Sequence, residues 1–303
     1  MASPADAATL GHPGVAVPLY ALDGTCSDRR FPQLAGEWAI GCDKAGRLDR
    51  ALRLTDGRQV TLSPPLDPNH TAVAAGTTPG TAVLVEVSTR TRIIDLSGAG
   101  PVERADATRL PKMPIAPPAT TDTHFAAILP DQIEGLPHHE QVRRPYRTQA
   151  AGWYPPALAW PVVAWVESSA DGDEDVWVRT FEPPGPAELL ASGTGFQRHV
   201  VSDGTSLAWV APDRLHLWNP QTGQKESLPA NTGFHAPPSL SDGVLCWEER
   251  RTPPGGTRPR PDIDILCSDG LEAAGPGDQL FPSRSGSWLL YRSDGHTWLL
   301  TAP

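Results

Sequence analysis

The sequence predicts an all-β chain made of repeated four-stranded units, and three observations carry that reading. Residues 156–167 and 238–249 repeat in register: Pro156, Leu158, Val162, Trp165 and Glu167 recur as Pro238, Leu240, Val244, Trp247 and Glu249. Residues 199–209 repeat the same stretch with one residue inserted after Gly204. Composition agrees. Pro (34) and Gly (28) together make 62 of 303 residues, about a fifth of the chain against an average of roughly 12%. No apolar periodicity of 3.6 extends beyond about ten residues. Finally, Phe31, Pro32, Gly36 and Trp38 match Phe281, Pro282, Gly286 and Trp288 at identical spacing, so the two ends of the chain belong to one array. Self-similarity at a period of about 40 residues is the signature of stacked units such as propeller blades.

Taken in order, residues 1–13 are small and polar and read as a disordered tail, and 14–303 as a single propeller domain. Residues 15–21 form one short strand closed by Asp23-Gly24. The first repeat runs from Phe31 through strands near 38, 51–54 and 59–62, with Thr55-Asp56-Gly57 as a turn. The second gives three β-branched runs, at 71–75, 81–87 and 92–96. The third holds 125–129 and then a long polar segment, 130–147. The fourth carries 156–167, an acidic loop and 176–181. The fifth runs from His199 to Trp218, the sixth from Pro238 to Leu266, and the seventh from Phe281 to Leu300. The last repeat has room for three strands and a blade needs four. The lone strand 15–21 supplies the fourth, which closes a seven-bladed ring and removes its exposed edges. A six-bladed ring follows if the second repeat is not a blade.

Pro238 to Gly243 with Asp264-Ile265-Leu266, and Pro156 to Trp165 with Asp175-Val176-Trp177, resemble the repeat of TolB-like propellers. The resemblance covers the last four repeats well and the first three loosely. The Ser-Asp-Gly turn is complete at 202–204 and 241–243. The resemblance implies the fold, a periplasmic or surface-attached location, and binding to other proteins.

A net charge of −10 argues against a general nucleic-acid binder, whose affinity comes from neutralising phosphates. No run of 18 apolar residues is present to span a membrane as a helix. Cys246 and Cys267 face each other if a hairpin apex falls between Gly256 and Thr257, inside the turn-forming run 253–257. Cys26 and Cys42 make a second candidate bridge. Bridges of this kind point to the periplasm, the outer surface or the exterior, whereas four reduced thiols would fit the cytosol. Residues 1–13 lack the basic and apolar regions of an export signal. An exported precursor is then expected to have lost its signal before residue 1, and to carry a lipid anchor in its native form.

In a blade, the loop joining the second and third strands returns to the face where the innermost strand starts. That places 130–147, 168–175 and 250–261 together as a binding face on a rigid scaffold. The candidate contacts are His138, His139, Arg143, Arg144 and Tyr146 in the first, and Arg250, Arg251, Arg258 and Arg260 in the third, the arginines for carboxylate recognition. His138-His139-Glu140 lacks the i, i+4 spacing of a helical zinc site. Asp171 to Asp175 lacks the glycine that a calcium loop needs at its sixth position. Neither metal nor cofactor is expected. Tyr154, His199 and His235, with Arg30, His70, Arg198 and Gln279, lie near the starts of innermost strands and face a central channel. The recurring Trp165, Trp209 and Trp247 read as core between blades. No nucleophile elbow, phosphate loop or Cys-x-x-Cys occurs. The leading expectation is a non-enzymatic extracytoplasmic propeller that engages a protein partner of the cell envelope. The alternatives are a lyase or hydrolase of polysaccharide or peptide with its site at the channel mouth, and a glycan-binding lectin.

Overall fold

The computed structural model describes residues 14–24, 26, 31–43, 45–76, 78, 80–88, 91–97, 100–104, 114, 116–129, 132–137, 144–146, 154–168, 172–231, 236–251, 262–275 and 277–302. Their strands form seven antiparallel four-stranded sheets. Sheet 1 comprises Gln33–Ala35, Trp38–Cys42, Leu48–Arg53 and Gln59–Leu66. Sheet 2 comprises Thr71–Ala75, Ala82–Val87, Thr91–Ser97 and Gly100–Arg104. Sheet 3 comprises Ala119–Thr120, His124–Leu129, Gln132–Pro137 and Arg144–Tyr146. Sheet 4 comprises Ala157–Ala159, Val162–Ser168, Glu174–Phe181 and Pro184–Ala191. Sheet 5 comprises Arg198–Ser202, Leu207–Ala211, Arg214–Trp218 and Lys225–Pro229. Sheet 6 comprises Ser239–Ser241, Val244–Arg251, Asp262–Cys267 and Glu272–Ala273. Sheet 7 comprises Leu280–Ser285, Trp288–Ser293 and His296–Thr301, with Ala16–Pro18 as its fourth strand. The second repeat, whose standing as a blade decides between six and seven in the sequence reading, has all four strands.

Turn chemistry shapes the hairpins. Asp242-Gly243 and Asp294-Gly295 hold positive φ at both residues (51° and 77°, 51° and 79°), the pairing whose twist suits a two-residue hairpin. The residue inserted after Gly204 changes the sheet 5 turn. There the Asp203 carboxylate accepts the Thr205 and Ser206 N–H groups at 2.9 and 2.7 Å. Its second oxygen accepts Gly243 N–H at 2.9 Å and ties this turn to that of sheet 6.

The apolar core lies between sheets rather than inside one. Each cluster of buried side chains straddles two successive sheets: Trp38 and Ile40 with Leu84 and Leu96, Val85 and Ile93 with Phe125, Ile128 with Trp165 and Phe181. The series continues with Val166 and Val176 against Trp209, Val210 and Leu215 against Trp247, and Ile265 against Leu289 and Tyr291. The last cluster joins Leu290 and Leu299 of sheet 7 to Leu34, Ala39 and Leu52 of sheet 1, with Leu19 and Leu22 between them. The recurring tryptophans each face the preceding sheet. A buried indole needs a partner for its N–H. Trp165 donates to Glu167 at 2.8 Å and Trp247 to Glu249 at 2.9 Å, two residues along the same strand face. Trp and Glu therefore recur together. Two residues past Trp209 stands Ala211, and that indole donates instead to Gln197 at 3.2 Å.

The N-terminal strand is shorter than the expected 15–21, because Tyr20–Leu22 turns into a 3-10 segment. Ala16, Val17 and Pro18 face Leu300, Leu299 and Trp298. Gly24 follows, pressed so closely on the chain that an added Cβ would lie 1.9 Å from the Asp43 carbonyl oxygen.

One expectation needs correction. Residues 130–147 are not one loop between second and third strands. Gln132–Pro137 and Arg144–Tyr146 are the third and fourth strands of sheet 3, paired through Gly135 and Arg144. The two apolar residues of the third strand, Ile133 and Leu136, are three apart and so show no period-two alternation among the charges and prolines around them, which is why the segment read as a loop.

Cys246 and Cys267 sit at facing positions and are bridged, and the register continues to Arg251 opposite Asp262, as an apex between Gly256 and Thr257 requires. The apex itself lies outside the described residues. Cys26 and Cys42 form the second bridge and no cysteine is free. The Cys246–Cys267 bridge closes a loop of 21 residues. Replacing both cysteines with serine is expected to cost about 3 kcal/mol of unfolding free energy, read by urea denaturation. An unchanged transition midpoint would contradict that assignment.

Candidate functional site

The first strands of all seven sheets line one cavity of about 1230 Å³. Serine hydroxyls stitch neighbouring first strands together. Ser239 Oγ accepts Arg284 N–H at 2.7 Å, Ser283 Oγ accepts Leu34 N–H at 2.7 Å, and Ser285 Oγ donates to the Gly36 carbonyl at 2.9 Å. These bonds hold the wall of the cavity at the junctions of sheets 6, 7 and 1.

The end where the first strands begin is built by a local device that occurs twice. Gly195-Phe196-Gln197-Arg198-His199 enters sheet 5, and Gly277-Asp278-Gln279-Leu280-Phe281 enters sheet 7. Gly195 and Gly277 hold φ of 99° and 92°. Gln197 N–H donates to the Glu174 carbonyl at 2.7 Å, and Gln279 N–H to the Ile263 carbonyl at 2.8 Å, each in the preceding sheet. His199 and Phe281 follow with φ of 54° and 59°, at register shifts in the pairing of their strands. A bulge re-aims a side chain. Non-glycine residues with positive φ are uncommon and costly, and cluster at functional positions. Both residues line the cavity, beside Tyr154 and Pro155 and Pro237.

Tyr154 packs edge-on against the His199 ring, with centroids 5.3 Å apart. Its hydroxyl donates to Glu174 Oε1 at 3.0 Å and accepts from Arg198 Nη1 at 3.5 Å. The Arg198 guanidinium lies 4.1 Å over the Phe196 ring and 4.0 Å from Glu174 Oε2. Burial pushes the Tyr154 phenol above its ordinary value. Burial, with the nearby Arg198 charge, brings the His199 imidazole down to about 4, so it is neutral at physiological pH. No hydrogen bond joins the His199 ring to another described residue.

The remaining expected contacts divide. His70 is held by Asp67 at 2.9 Å, away from the cavity lining. Gln279 is buried at the sheet 6–7 junction. Arg251 is already committed to Glu272 at 2.5 Å and to Asp264 at 3.7 Å, which makes it a poor free carboxylate fork. The Arg250 backbone pairs with Asn231. Arg144 and Tyr146 are described by backbone alone, in the fourth strand of sheet 3. His138, His139, Arg143, Arg258, Arg260, His235 and Arg30 lie outside the described residues. The sequence reading missed Phe281 as a lining residue and Glu174 as a partner of Tyr154. The signal that finds Phe281 is the repeated Gly-x-Gln-x spacing before it and before His199. The one serine–histidine contact among the described residues, Ser227 to His216 at 2.8 Å, lies on the outer strands of sheet 5, away from the cavity.

No family model matches the chain, and neither does any curated protein. Solved structures do. Puromycin hydrolase is 16% identical with a TM-score of 0.53, covering 96% of this chain and 52% of that one, and its S511A mutant complexed with PGG gives 0.57. A chain of the mitotic checkpoint complex is 10% identical at 0.56, covering 97% of this chain and 95% of that one. TolB from Acinetobacter baumannii is 14% identical at 0.46, over 84% of this chain and 59% of that one, and supports no further argument. The likeness is one of fold alone, the β-propeller. The chain spans about half the length of puromycin hydrolase.

The His199 environment predicts a pH dependence. Between about pH 6.5 and pH 4 the unfolded chain takes up a proton at residue 199 that the folded chain refuses. Folding stability therefore falls as pH drops through that window, by on the order of 3 kcal/mol from this group. His199→Phe, which copies Phe281, is expected to flatten the slope in urea denaturation at about pH 7 and pH 4.5. Equal slopes in variant and parent would contradict it.

Proposed function

We propose that this protein is a non-enzymatic, extracytoplasmic binding propeller that captures a polypeptide partner at the cavity mouth where the first strands begin. The seven sheets are read as seven blades of one closed ring spanning residues 14–303, with Ala16–Pro18 completing the last blade. The series of clusters that returns from sheet 7 to sheet 1 supports that reading. The two bridges support an oxidising compartment, whether periplasm, outer surface or exterior.

The observation that carries the function is the pair of strained residues, His199 and Phe281, presented to one cavity by the same bulge. The second and third strands of sheets 4 and 6 end at Ser168 and Glu174 and at Arg251 and Asp262, which supports keeping 168–175 and 250–261 in the binding face read from sequence; 130–147, which includes two strands of sheet 3, is withdrawn. A concavity that combines aromatic rings and prolines at one end with polar side chains along its wall suits recognition of an extended segment.

Asparagine tolerates positive φ, so His199→Asn with Phe281→Asn removes the presented side chains while keeping the backbone. Immobilised double variant is expected to recover at least about tenfold less of whatever the parent captures from envelope extract, with a melting temperature within a few degrees. Equal recovery by both would overturn the reading.

A further inference from the structure

The cavity has two chemically different ends, and this inference rests on the binding role just proposed. One end gathers Tyr154, His199 and Phe281. The other is formed by the first hairpin turns, and those of sheets 1, 3, 5 and 6 carry Glu37, Asp122, Asp203 and Asp242, all lining the cavity. Glu37 is answered by Arg53 at 3.0 Å. The one lysine or arginine in the lining, Arg284, is spent on Asp269 at 2.7 Å. Asp122, Asp203 and Asp242 have no cation in ion-pair distance among the described residues. Asp203 accepts three backbone N–H groups, and Asp122 and Asp242 accept only hydroxyls, from Thr123 and Ser241.

We propose that the cavity takes an extended polypeptide segment with an apolar side chain at the His199 end and Lys or Arg about four residues away, against Asp122 and Asp242.

The spacing follows from the length of the wall. The first strand of sheet 5, Arg198–Ser202, spans five residues between the His199 end and the hairpin turns, so a segment extended along it sets its two anchors about four residues apart. The His199 imidazole, packed on Tyr154 but without a hydrogen bond to its ring nitrogens among the described residues, faces the segment's backbone, where a neutral ring both donates and accepts. Carboxylates gathered at one end of a concave cavity add up to a negative potential at its mouth, and the chain's net charge of −10 adds to the attraction. The same field disfavours anionic glycans and nucleic acids.

The test uses fluorescent, capped hexapeptides with Phe first and Arg, Ala or Glu fifth, titrated by anisotropy against the intact protein. The Arg peptide is expected to bind at least about tenfold tighter than the Glu peptide, an advantage that shrinks with added salt. In Asp122→Asn/Asp242→Asn the ratio falls toward one with the melting temperature preserved, since Asn accommodates the positive φ at 242. Equal binding of Arg and Glu peptides, a preference that survives in that variant, or no binding of any peptide at about 1 mM overturns the proposal. Loss of partner capture in His199→Asn/Phe281→Asn alongside any of those results would leave the binding role standing and remove only the cationic ligand.

Discussion

Thr297 lies 275 residues from Leu22, yet its hydroxyl donates to the Leu22 carbonyl at 3.0 Å. Around that contact the two ends of the chain are joined. Gly14 N–H reaches the Thr301 carbonyl and Leu19 N–H the Thr297 carbonyl, both at 2.8 Å. The Asp23 carboxylate accepts Thr297 N–H and meets His296 Nδ1, both at 2.9 Å. Behind these bonds Leu19 and Leu22 fill the junction of sheets 7 and 1. Without them sheet 7 would keep an open edge and the last inter-sheet cluster would lie half in water, where each exposed leucine forfeits about 1.5–3 kcal/mol. Because every sheet buries its faces against its neighbours, each junction depends on the others. The cavity wall crosses the same junction, passing from Ser283 and Ser285 directly to Leu34 and Gly36.

Most of this architecture was legible in the chain because the repeat is carried by residues with a fixed structural duty. Trp165 and Trp247 come with Glu167 and Glu249 since a buried indole must donate, and Ser-Asp-Gly marks hairpins because left-handed residues are needed there. The Cys246–Cys267 pairing was readable from arithmetic about a turn. The segment 130–147 was misread for a physical reason: its strands are edge-proximal and polar, so the apolar alternation that betrays a strand is weak. The fourth strands of sheets 4 and 5 share that weakness, with Pro184–Ala191 and Lys225–Pro229 largely exposed.

The site was legible only in part. Tyr154 and His199 could be placed near the cavity from their position before or at a first strand. Their mutual contact, the Glu174 and Arg198 partners, and the pairing of His199 with Phe281 as twin bulges depend on side-chain direction, which period-2 alternation does not encode at a bulge. Arg251 shows the converse. It looked like a free fork in the sequence, and the fold supplies Glu272 and Asp264 to occupy it. Charge sorting between the two cavity ends emerges only when turns far apart in sequence are brought to one side.

Hydrogen exchange followed by mass spectrometry tests the joining of the two chain ends most directly. The amides of Ala16, Val17, Leu19 and residues 297–301 are expected to exchange together with those of the buried second strands, such as Val162–Ser168, through one global opening. Exchange of 14–22 at the rate of an unstructured peptide, while 297–301 and the other sheets stay protected, would contradict the account.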